Sequence, residues 1–158
     1  MRNPTHLTQI GIGCLLHDIG KVIFHQFLPG AYDRVALRAR EAQLPWREAE
    51  LDVLGVDHAM LGGRLAQKWK LNRGIVAAIA YHHDIAACPP EFSRVAGTLA
   101  VANHLVGAAG YPCHDHAVLS LPEAAWQASG LDRAQLGQAI DGFCAALHEV
   151  QELMALAA

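Results

Sequence analysis

The stretch GIGCLLHDIGKVIFHQF, residues 11–27, decides how the chain is read. Its apolar residues Ile12, Leu15, Leu16, Ile19, Val22, Ile23 and Phe27 keep the spacing of one helical face, which predicts a single amphipathic helix ended by Leu28-Pro29-Gly30. His17, Asp18 and Lys21 stand inside this run, and buried polar groups cost free energy unless they find partners. The rest of the chain must supply those partners.

Beyond it, Tyr32, Val35, Ala36 and Ala39 predict a second helix, and Pro45 at a first-turn position opens a third through Trp46 to Leu54, closed by Gly55. Asp57 suits the N-cap of a fourth, whose Leu61, Leu65 and Trp69 share a face with His58 and which Asn72-Arg73-Gly74 interrupts. In the fifth, Ile75, Val76 and Ile79 lead to His82 and His83, and both histidines continue the inward stripe. A sixth follows Cys88-Pro89-Pro90, with Phe92, Val95, Leu99 and Val106 facing inward beside Asn103. A short helix follows Pro122, and Asp132 with Gln135 forms a capping box for the last one. That helix carries Leu136, Ile140, Phe143, Leu147, Val150 and Met154, a seam too short for a dimer zipper and expected to pack on the domain. No segment alternates with period two, so the fold class is all-α, a multi-helix domain taken to span 1–158.

With 53% hydrophobic and 17% charged residues the chain is of globular type, and a net charge of -3 gives no electrostatic basis for binding nucleic acid or an anionic membrane. Cys14, Cys88, Cys113 and Cys144 form no C-x-x-C pair, and the start does not resemble a secretory signal, which fits a reducing cytoplasm. The charge-free run from Val95 to Cys113 holds Thr98, Asn103 and His104, and reads as a buried helix and its exit rather than a membrane span.

His17, Asp18, His58, His82, His83 and Asn103 are the polar residues on inward faces. One such histidine alone is ordinarily a neutral imidazole hydrogen-bonded in the core. The set is different, because imidazole nitrogen and carboxylate oxygen are the ligands of Fe, Mn, Zn or Ni, and helical bundles build metal sites from facing helices.

The segments HDIGK at 17–21, GVDHA at 55–59, LAQKWKL at 65–71 and AIAYHH at 78–83 together resemble the HDOD domain, the HD-related output domain of the HD superfamily. The resemblance implies an all-α fold and, in catalytic HD relatives, divalent metals that activate water for phosphoester hydrolysis. It matches His17 and Asp18 to the HD doublet, Lys21 to a lysine beside phosphate, His58, His82 and His83 to further metal ligands, and Asn103 to a late aspartate. Asp18 and Lys21 would then carry any catalysis. Two departures count against it: His6 stands too close to the doublet to replace the upstream ligand histidine, and the Asn103 amide is a poor ligand. The expectation is therefore a partial, single-metal site in which Asp18, His58, His82 and His83 hold the ion while the half belonging to His17 is damaged. The resemblance further implies a bacterial regulatory or signalling module, with a signalling protein or a small phosphorylated molecule as partner, and a longer N-terminal part in a typical member. A metal-dependent phosphohydrolase or phosphodiesterase is the alternative.

Two local features are set aside. Gly110-Tyr111-Pro112 looks like the signature of cyclic-dinucleotide phosphodiesterases but follows a different helix from the paired histidines, and Cys113-His114-Asp115-His116 lacks a spaced second ligand pair. Both read as loop.

Overall fold

The computed structural model describes residues 4–108 and 123–156, which form α-helices and two 3-10 turns, with no strand among the described residues. In chain order the helices are α1 (Pro4–Leu16), α2 (Ile19–Phe27), α3 (Pro29–Ala42), α4 (Trp46–Leu54), α5 (His58–Lys68), α6 (Arg73–Tyr81), α7 (Ser93–Ala108), α8 (Glu123–Ser129) and α9 (Arg133–Leu156). The turns, Ile85–Ala87 and Pro90–Phe92, link α6 to α7.

Local chemistry explains most boundaries. Gly55 closes α4 at φ 70, in the left-handed region that glycine enters without strain. Asp57 caps α5 by accepting from Met60 N at 2.7 Å, and its other carboxylate oxygen accepts from Arg47 Nε at 2.6 Å. One buried carboxylate thus fixes the start of α5 and ties it to α4. Asp132 and Gln135 form the reciprocal capping box at α9, at 3.0 and 2.8 Å.

Three expectations need correction. The helix foreseen across the opening stretch is two helices, broken at His17-Asp18, where Asp18 takes φ -96 and ψ 10. Just past the break α2 lies tight against α5: Gly20 is so close to the His58 carbonyl that any Cβ there would collide with it. Second, the apolar stripe of that stretch is not all internal. Ile12 and Leu16 pack on Ile75 and Ile79, and Phe24 is core, but Leu15 is 82% exposed, Phe27 66% and Val22 55%. Third, the buried face of α5 is Ala59, Gly62, Gly63 and Ala66, while Leu61 and Leu65 are half-buried and Trp69 is exposed. Small residues win because α5 lies tight against α6; a Cβ on Gly63 would come within 2.6 Å of Ala80 Cβ.

The core has two main parts. Phe24, Tyr32, Val35 and Ala49, with Trp46 against them, join α2, α3 and α4. Ala66, Ile75 and Ile79 join α5, α6 and α1, and Ala78, Val95 and Leu99 carry α6 onto α7. Ile79 and Leu99 are essentially inaccessible, and each contributes about 1.5–3 kcal/mol by leaving water. α8 packs on α7, and along α9 the seam residues Leu136, Phe143 and Leu147 are half-buried while Ile140 is 39% exposed.

By length and composition Leu7–Phe27 is apolar enough to cross a membrane, the one such candidate among the described residues. It is broken at the doublet and carries Asp18 and Lys21.

Candidate metal centre

Five of the six residues singled out by sequence meet where the α1–α2 break, the start of α5 and the end of α6 converge. His17, Asp18 and His82 can bring one ligand atom each within 4.8 Å of one another, and so can His58, His82 and His83. The rings are in contact: His17 and His82 centroids lie 5.1 Å apart, His82 and His83 4.1 Å, His58 and His83 4.9 Å. Asn103 lies half-buried on α7, outside the two ligand groups that the described histidines and Asp18 form. Gly110-Tyr111-Pro112 and Cys113-His114-Asp115-His116 lie outside the described residues.

The hydrogen bonds decide which ring nitrogens are free to act. His17 Nδ1 is 2.8 Å from the Cys14 carbonyl and His82 Nδ1 is 2.7 Å from the Ile79 carbonyl. A carbonyl only accepts, so each Nδ1 must carry the proton, and in the neutral ring each Nε2 presents a lone pair. His82 is held neutral, its pKa well below the usual range because of burial and then the charges of His58 and His17. His83 is depressed likewise, by burial and then by His82 and His58.

His58 is fixed from the other side. It is buried, and its Nδ1 lies 2.6 Å from Glu50 Oε2, which also accepts from the His58 backbone N–H at 2.8 Å. Nδ1 again carries a proton, which leaves Nε2 as the ring atom facing His83 Nε2 at 3.0 Å and Asp18 Oδ1 at 3.3 Å.

Asp18 divides its oxygens. Oδ2 pairs with Lys21 Nζ at 3.0 Å, and Oδ1 has no hydrogen-bond partner. Burial pushes the Asp18 pKa up, but Lys21, His17 and His58 together outweigh it, and the carboxyl is held below its ordinary value. The buried side-chain polar atoms without a hydrogen bond among the described residues are His17 Nε2, Asp18 Oδ1 and His82 Nε2, all at this one place. Two imidazole nitrogens and a carboxylate oxygen are a donor set that fits a divalent transition metal.

The arrangement corrects the expected division of labour. His17 is not isolated on a damaged half; it shares a ligand group with Asp18 and His82. Glu50 was missed altogether. The signal was in α4, where a carboxylate at position 50 stands in line with Trp46, Ala49 and Val53, on the face that meets α3 rather than on the solvated one.

Three comparisons bear on this site. The family model described as HDOD domain matches residues 2–85, which hold the doublet, Glu50, His58 and the paired histidines. An uncharacterized protein of Treponema pallidum (strain Nichols) is 30% identical over 89 residues, 56% of this chain and 17% of that protein. The crystal structure of an HDOD domain protein with unknown function from Geobacter sulfurreducens matches with a TM-score of 0.71 at 25% identity, over 87% of this chain and 50% of that one. The chain therefore spans half or less of the length of these relatives.

Proposed function

Because the chain belongs to the HDOD domain family, we propose that it is a regulatory module, of bacterial signalling type, that holds one divalent transition metal at the histidine cluster. The observation that carries this reading is the convergence of the unpartnered His17 Nε2, Asp18 Oδ1 and His82 Nε2, with His58 Nε2 beside them.

One ion rather than two follows from the same contacts. His82 belongs to both ligand groups, but with Nδ1 bound to the Ile79 carbonyl it has a single nitrogen to give. Asp18 likewise has one oxygen committed to Lys21. His17, Asp18 and His82 would hold the ion, with His58 and His83 lining its other side, and Fe, Mn, Zn or Ni all suit such donors. When bound, the ion supplies Lewis acidity. Lys21 neutralises Asp18 Oδ2, and burial of His82 and His83 keeps their protons from competing for the site.

A phosphohydrolase is the second reading, favoured by Lys21 at the site. It ranks second because the Lys21 ammonium is buried against Asp18, which weakens its hold on a phosphate. The partner of a regulatory module would be a signalling protein or a small phosphorylated molecule. Elemental analysis of protein purified without chelator is expected to find about one transition metal per chain, lost in Asp18→Ala and His82→Ala, without turnover of a generic phosphodiester. Protein free of transition metal that takes up none on titration would overturn the proposal, and two ions per chain with turnover would replace it by the hydrolase.

A further inference from the structure

We propose that Glu50 is a positioning residue for the centre, and that Tyr32 and Trp46 hold Glu50 in place so that His58 always offers Nε2. The inference rests on the reading that the cluster binds metal, and it assigns a function to three residues outside the ligand set.

Glu50 is fully buried on α4, and the ion pair seen for it among the described residues is with His58. A carboxylate in such a place is costly, and what offsets it is a complete set of donors. Tyr32 O–H donates to Oε1 at 3.0 Å; the His58 backbone N–H and Nδ1–H both donate to Oε2. Tyr32 oxygen in turn accepts from Trp46 Nε1–H at 2.8 Å. The chain Trp46, Tyr32, Glu50, His58 thus runs from the α3–α4 core to the cluster with every donor matched to an acceptor.

Matching has a directional consequence. Glu50 can only accept at His58 Nδ1, so in the neutral ring the proton is confined to that nitrogen, and the ring cannot turn without losing the 2.6 Å contact. Its backbone bond to the same residue fixes the Cα end of the side chain as well. Both ends of His58 are therefore set by one carboxylate. A partner of this kind raises the basicity of a ligand imidazole, and losing it typically lowers metal affinity about 10- to 100-fold.

The test uses the full chain and two readouts. In metal-free protein at a pH where the His58 ring is neutral, long-range nitrogen–proton correlation spectra of labelled histidine are expected to place its proton on Nδ1; the Nε2–H tautomer would overturn the inference whether or not metal binds. With cobalt(II) as probe, Glu50→Gln is expected to weaken binding about 10- to 100-fold at unchanged stoichiometry. Tyr32→Phe, which keeps the ring and removes one donor, is expected to weaken it less. Glu50→Gln that folds and binds cobalt(II) as tightly as the parent would overturn the inference while leaving the metal centre standing. If Glu50→Gln fails to fold, Tyr32→Phe decides: a loosened His58 tautomer with weaker binding supports the chain, and neither change overturns it. A parent protein that binds no cobalt(II) is the failure of the metal reading, and the tautomer measurement still judges Glu50.

Discussion

The two sides of the histidine cluster are built on opposite plans. On the α4–α5 side every polar atom is matched: Glu50 receives three donors, and Asp57 takes Arg47 and a backbone amide. On the side made by the α1–α2 break and the end of α6, His17, Asp18 and His82 each keep one buried atom with no hydrogen bond. Buried polar groups left unmatched cost about 1–3 kcal/mol each. The difference teaches where folding ends and ligation begins: the matched side is scaffold, and the unmatched side carries a cost that a bound cation would remove.

The widest gap between the two sides should appear in the metal-free protein. Glu50→Ala strips Tyr32, His58 Nδ1 and the His58 amide of their acceptor and is expected to cost about 3–5 kcal/mol in denaturant unfolding. His17→Ala, which removes an unmatched atom from a partly exposed ring, is expected to change metal-free stability by about 1 kcal/mol or less. Equal losses at the two positions would break the contrast.

With metal present the roles should reverse. Cobalt(II) at about a hundredfold above its Kd is expected to stabilise the parent by about 2.7 kcal/mol in thermal unfolding. In His17→Ala or His82→Ala that gain should vanish. A parent transition that does not move with added metal would count against the centre.

Acid should sharpen the contrast further. His82 and His83 have folded-state pKa values below the ordinary 6.5, so at low pH the unfolded chain takes up protons that the folded one refuses. Their contribution to stability is present above about 6.5 and is lost as pH falls below it, by at most about 1.4 kcal/mol per pH unit for each ring. Asp18 is also depressed, but it adds its loss only below the usual carboxylate range near 3.8. Urea unfolding of metal-free protein between neutral pH and about pH 5 checks this; replacing His82 and His83 by Gln should flatten the slope.

Smallest is the far end of the matched chain. Tyr32→Phe deletes one donor and is expected to cost about 1 kcal/mol.

Much of this was legible in the sequence. The all-α fold followed from spacing, and Asp57, Gly55 and the Asp132–Gln135 box marked helix ends because capping chemistry is local. The histidines were legible as a set because polar residues on apolar faces need a common explanation. What escaped reading was tertiary. Periodicity runs unbroken through His17-Asp18, and it does not reveal that Gly20 must seat against the His58 carbonyl just past the break. On α5, large residues dominate any hydrophobic pattern, yet packing chose Gly62, Gly63 and Ala66. Glu50 does not stand out because a sequence does not say which carboxylate has donors waiting. Leu15 and Phe27 passed for core because a stripe does not reveal whether anything covers it.

Gly13 and Gly20 bracket the doublet, one pressed on Ala78 and Leu99, the other on the His58 carbonyl. This fixes the register of the intervening residues against two surfaces at once. Each residue inserted into a helix rotates the rest of that helix by about 100°. An insertion or deletion between the two glycines would therefore swing His17 and Asp18 off their partners, or lift one glycine from its seat. Relatives should tolerate gaps ahead of Gly13 and in the α3–α4 connection, but should keep the span from Gly13 to Gly20 at constant length even where its side chains change.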